Sequence, residues 1–172
     1  LKTPPVAALT IATLLMAPVV ANGQTSSSSS ETRPTATVTA AEPQIERQAV
    51  AAPSLDGNLL GDPSEVEVEV QTPGSYATSP ERRYPVVYFL AGYDEPASVG
   101  SIGLELQQLV SDGEADEMIL VGVSGDNALG GSFYVDSPVS GRWASAIVDD
   151  VVGAIDEQYR TLATPASRGI AG

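Results

Sequence analysis

Histidine and cysteine are both missing from the 172 residues of this chain. Without cysteine there is no disulfide, no thiolate metal site and no cysteine nucleophile. Without histidine there is no imidazole base, and a zinc site would have to rely on carboxylates alone. A serine hydrolase needs a base to take the proton from its nucleophile, and histidine usually supplies it. Positive charge is scarce as well: Lys2 is the one lysine, and the net charge is −14. Such a chain repels phosphate backbones and anionic membranes, which argues against nucleic acid as a partner. Aromatic residues make up only 5% of the chain, but hydrophobic residues reach 42%, enough for a packed core. The length suits one domain and a tail.

The amino-terminal stretch "LKTPPVAALTIATLLMAPVVANGQT" has one positive charge and then an apolar run from Val6 to Val20. A membrane span needs roughly 20 apolar residues, and this run is shorter. Ala21 and Gly23 occupy the −3 and −1 positions of a cleavage site before Gln24. Residues 1–23 therefore read as a secretory signal peptide, with secreted or periplasmic export and no membrane span after cleavage. Residues 24–53, rich in Ser, Thr, Ala and Pro, read as an unpacked linker. The folded domain is expected over residues 54–172.

Within it, "EVEVEV" (Glu65 to Val70) alternates as a half-exposed strand does, valines inward. "YPVVYFLAG" (Tyr84 to Gly92) and Met118 to Val123 are continuous apolar runs, as in strands buried on both faces. Between them Ile102, Leu106, Leu109 and Val110 fall at helical spacing, and Gly113 stops the helix. A second helix is predicted from the stripe Trp143, Ile147, Val151, Ile155 and Tyr159. "SRGIAG" (Ser167 to Gly172) closes as a short strand. Strand, helix, strand, helix, strand defines an α/β class with a parallel sheet and helices on its faces.

Ligands of such sheets gather at the carboxyl ends of the strands. The loop "LAGYDEP" puts a glycine directly after a buried strand, where the backbone can turn and aim an N–H outward. "GVSGD" (Gly122 to Asp126) imitates the nucleophile elbow G-x-S-x-G, but Asp126 replaces its last glycine and no helix pattern follows, so Ser124 reads as a loop residue. Asp126, Asp136, Asp149 and Asp150 lack the alternating register of a calcium loop and read as solvated charge. Phe133 and Tyr134, in the glycine-rich loop, either line a pocket or pack as structure. No metal and no cofactor is expected.

The blocks "GNLLGDP", "RRYPVVYFLAGY", "GSFYVDSPVSGRW", "IVDDVVGAIDEQYRTL" and "SRGIAG" together resemble the esterase D-like family of serine esterases, relatives of the feruloyl esterases and mycolyltransferases. The likeness runs from about Ser54 to Gly172. It implies an α/β-hydrolase fold, present here as the amino-terminal half of a mostly parallel sheet with flanking helices. In that family the strand corresponding to "SRGIAG" runs into the G-x-S-x-G elbow. Gly172 then matches the first glycine of the elbow, and the serine, acid and histidine of the triad lie beyond it. The missing histidine follows without unusual chemistry. The resemblance carries over one functional position, the backbone N–H of Tyr93 as the first oxyanion-hole donor, after the pair Ala91-Gly92. Ala91 departs from the usual His or Asp. On this reading the chain is the amino-terminal fragment of an exported carboxylic-ester hydrolase, inactive by itself and marginally folded or prone to aggregate. The complete protein would act on a small-molecule or carbohydrate-linked ester. The alternative is an exported binding module that kept the scaffold without the chemistry, with the Ser/Thr-rich segment as its stalk.

Overall fold

The computed structural model of the protein describes residues 42–172. The expected signal peptide and the first part of the expected linker lie outside the described residues. The last part of that linker is corrected by the structure. Gln44–Ala51 forms a strand, β1, antiparallel to β2 (Glu65–Thr72), with Val50 opposite Val66. β1 escapes a reading by hydrophobic alternation because it lies at the sheet edge and buries only Val50. Its hydrogen bonds to β2, and not an apolar stripe, hold it in place.

β3 (Val86–Leu90) and β4 (Ile119–Val123) are the two apolar runs, paired in parallel at the centre of the sheet. Two-residue strands β5 (Asp136–Ser137) and β6 (Gly141–Arg142) make a separate small hairpin. β7 (Arg168–Ala171) pairs in parallel with β3. The main sheet therefore has the order β1-β2-β4-β3-β7. It is mixed: β2 runs against both of its neighbours, and the remaining strands share one direction.

Helix α1 (Gly100–Ser111) covers one face. Its entry is tight, because a Cβ at Gly122 would stand 2.9 Å from the Ser98 backbone nitrogen and one at Gly103 would overlap the buried Gln71 side chain. This coverage explains why the alternation in β2 breaks down. Val66, Val68 and Val70 are buried as the pattern predicts, but Glu69 is buried too. Its carboxylate accepts the Val99 N–H at 2.9 Å and pairs with Arg47 at 2.5 Å.

The other face carries the second helical stretch, which is not a plain α-helix. α2 (Trp143–Ser145) passes through a π-helical segment (Ala146–Val151) into α3 (Val152–Gln158). From Trp143 to Ile155 an α-helix would rotate a stripe of four-residue spacing by about 120°. The wide π turn takes up most of that rotation. Trp143, Ile147, Val151 and Ile155 consequently all reach the core, together with Val66, Val68, Val70, Val86, Tyr88, Ile119, Val121 and Val123.

β7 ends the main sheet on its other side, with Ile170 69% exposed. Strand edges of this kind template pairing with other chains, and lysine blunts them. Ile170→Lys in the 172-residue chain should reduce self-association in light scattering, with a stability change of about 0.5 kcal/mol or less. Undiminished association would show that β7 is not the adhesive edge.

Candidate active site

Three backbone segments converge where β3, β4 and β7 end. β3 runs into Ala91-Gly92-Tyr93-Asp94-Glu95, and β4 runs into the loop from Ser124 to Val135. β7 delivers Gly172 against β3, where a Cβ on Gly172 would lie 2.9 Å from the Leu90 carbonyl oxygen. A cleft of about 240 Å³ opens between the first two loops, lined by Ala91, Gly92, Tyr93, Gly125, Phe133 and Tyr134 among others.

The turn after β3 sets the direction of the Tyr93 amide. The Glu95 N–H donates to the Gly92 carbonyl at 3.2 Å, closing a four-residue turn. Asp94, its third residue, has φ +56°, and Tyr93 is not among the positive-φ residues. That combination is a type II turn. The closing bond does not use the N–H of the second residue. In a planar trans peptide the Tyr93 N–H points away from the Gly92 carbonyl that Glu95 occupies. Among the described residues it donates to no acceptor. The Glu95 carboxylate also accepts the Gly92 N–H at 3.2 Å, folding back over the turn.

The loop after β4 is held by side chains. Asn127 Oδ1 accepts the N–H groups of Leu129 and Gly131 at 2.8 and 3.2 Å. Asp62, from the "GNLLGDP" block, accepts the Ala128 N–H at 3.1 Å. Gly130 and Gly131 leave room for the Tyr93 ring, whose hydroxyl donates to the Leu129 carbonyl at 2.6 Å. Phe133 stacks on Tyr93 with ring centroids 5.9 Å apart, and both rings are largely exposed. Tyr134 turns inward, its hydroxyl 2.8 Å from the Ala91 carbonyl and 3.0 Å from that of Val123. Burial pushes its phenol up to about 12, so it remains a donor at any physiological pH.

Asp94, Phe133 and Tyr134 are the non-glycine residues with positive φ among the described residues; Phe133 and Tyr134 line this cleft, and Asp94 follows Tyr93, which does. Each such residue costs on the order of 1–3 kcal/mol, and strain of this kind clusters at functional sites. A larger hollow of about 310 Å³ lies at the opposite end of the sheet, lined by Gln71, Leu106, Val110 and Met118 among others. It has none of the strained residues.

The other sequence candidates are not drawn into the cleft lining. Ser124 is buried, its N–H donating to the Glu67 carbonyl at 3.0 Å and its Oγ accepting the Asp126 N–H at 3.2 Å. Asp136 accepts the N–H and hydroxyl of Ser145, both at 3.1 Å, and Asp150 accepts the Ser54 N–H at 2.9 Å. Asp136 stays exposed, as its reading as solvated charge expects, whereas the half-buried Asp150 braces backbone, a correction to that reading. Among the described residues no group of three or more acidic side chains is arranged to hold a metal.

An α/β sheet with strained, glycine-rich loops at the carboxyl ends of its parallel strands places this domain among α/β proteins with a candidate site at that end. A family model described as "Putative esterase" matches residues 62–172. The chain belongs to that family. No curated protein matches it. Among solved structures it is similar to one described as a ferulic acid esterase, at 25% identity and TM-score 0.64, covering 76% of this chain and 48% of that one. It also resembles an S-formylglutathione hydrolase from Agrobacterium tumefaciens, at 17% identity and TM-score 0.55, covering 74% of this chain and 48% of that one. A CE1 ferulic acid esterase from Anaeromyces mucronatus, solved with ferulic acid, matches at 16% identity and TM-score 0.54, covering 74% and 47%. The latter two likenesses concern the fold. The chain thus spans about half the length of these structures.

Proposed function

We propose that this chain is the amino-terminal half of an exported carboxylic-ester hydrolase of the α/β-hydrolase fold. The observation that carries the reading is the Tyr93 N–H, held without an acceptor by a type II turn at the end of β3, beside the end of β7. Family membership and the half-length overlap with esterases support it. On this proposal the nucleophilic serine follows Gly172 in the elbow, with the acid and the histidine further on. The serine attacks the ester carbonyl while histidine takes its proton, and the Tyr93 N–H donates to the oxygen that becomes negative. Export rests on the pattern of residues 1–23, and points to a secreted or periplasmic enzyme.

The proposal is tested by expressing the complete reading frame and assaying short nitrophenyl esters. Ferulic acid esters and S-formylglutathione join the panel because the related structures are named for them. The complete product should hydrolyse at least one ester and be silenced by a sulfonyl fluoride, and the 172-residue chain should not exceed buffer. A complete product without G-x-S-x-G at Gly172, or without hydrolysis, overturns the reading in favour of a binding module.

A further inference from the structure

We propose that Tyr134 is a positioning residue for this ester hydrolysis, its hydroxyl fixing the peptide that sets the direction of the Tyr93 N–H. The inference rests on the role proposed for Tyr93. Ala91 is tied on both sides. Its N–H donates to the Val123 carbonyl at 2.9 Å, and its carbonyl lies 2.8 Å from the Tyr134 hydroxyl. The peptide plane between Ala91 and Gly92 therefore cannot rotate without breaking the Tyr134 contact. The next plane carries the Tyr93 N–H. The same hydroxyl lies 3.0 Å from the Val123 carbonyl, so its one proton is shared between the ends of the two central parallel strands, the shorter contact being to Ala91.

The clamp is built at a cost a mere filler would not require. Tyr134 and its neighbour Phe133 both sit at positive φ, +53° and +52°. That backbone turns one aromatic ring inward and leaves the other exposed over Tyr93. Gly125 gives the inward ring its space, since a Cβ there would stand 2.7 Å from Tyr134 Cζ. The Tyr134 N–H is held in turn by Ser132 Oγ at 3.2 Å. A phenylalanine at 134 would fill the same volume and lose only the clamp.

The test uses the complete protein. Removing one oxyanion donor costs on the order of 10²–10³ in kcat, so misaiming it through Tyr134→Phe should lower kcat about 10- to 100-fold. KM should stay within about twofold, and affinity for a boronic acid analogue of the tetrahedral intermediate should fall by the same factor as kcat. The pH–rate profile should keep its shape. If Tyr134→Phe does not fold, Gly125→Ala, which pushes the phenol off both carbonyls, should give the same split. Unchanged kcat in the folded variant overturns the inference while wild-type hydrolysis leaves the proposed function standing. If the wild type hydrolyses nothing, the proposed function falls, and amide exchange of the 91–96 segment decides on Tyr134. Exchange at least tenfold faster in Tyr134→Phe, with β2 unaffected, supports the clamp. Equal exchange overturns it.

Discussion

Trp143→Ala should lower the free energy of unfolding by about 3–5 kcal/mol. The indole is 3% exposed and belongs to the core cluster that includes Leu55, Val66, Val123 and Ile147. Its Nε1 donates to the Ser140 carbonyl at 2.9 Å, so truncation opens a cavity and strands a buried carbonyl. Trp143 is also the first residue of the α2–π–α3 stretch, whose four-residue stripe packs on the valines of β2 and the buried residues of β3 and β4. A typical domain has only about 5–15 kcal/mol in total. Urea denaturation of the complete protein should therefore show a large drop in midpoint for Trp143→Ala. Val148→Ala, on the exposed side of the same stretch, should change stability by about 0.5 kcal/mol or less. Equal, small effects from the two would mean that this stretch does not anchor the core.

On the role proposed for its N–H, Tyr93→Pro should cost the complete protein about 10²–10³ in kcat for ester hydrolysis, or roughly 2.7–4 kcal/mol of transition-state stabilisation. Proline removes the one group at issue, the backbone N–H. The second position of a type II turn accepts proline readily, so the turn itself survives. The side chain is lost with it, including the hydrogen bond to the Leu129 carbonyl and the stack on Phe133. Tyr93→Ala supplies the control, because it loses the same side chain and keeps the N–H. Its kcat should remain within about tenfold of the wild type, well short of the loss from a missing oxyanion donor. Steady-state kinetics on both variants separate backbone from side chain. Equal losses in the two would transfer the role to the ring and remove the amide from the mechanism.

The parts of the fold that were legible in the sequence are those whose neighbours are water or apolar side chains. β3 and β4 read as buried runs, and in β2 the three valines face the core as their alternation predicts. β1 did not read as a strand, because an edge strand held by backbone bonds needs little apolar pattern. The stripe from Trp143 predicted the buried face but not the π turn. Its spacing of four, wider than 3.6, was the available signal. At the site, the glycine after β3 pointed to the turn, and family resemblance singled out Tyr93. The supports were not legible. Asp62 reaches Ala128 across sixty-six positions, and Tyr134 reaches Ala91 across forty-three. Such contacts follow from tertiary placement alone. The sole local hint was Asn127 ahead of a glycine pair, a residue type that bonds nearby backbone in turns.

The most direct measurement is the crystal structure of the complete protein after reaction with a phosphonate ester, which leaves a tetrahedral phosphorus on the nucleophile. That adduct should sit on a serine just past Gly172, with one phosphonyl oxygen about 2.7–3.1 Å from the Tyr93 nitrogen. An adduct whose oxygens are held by other donors, with the Tyr93 N–H turned away, would contradict the role proposed for that amide.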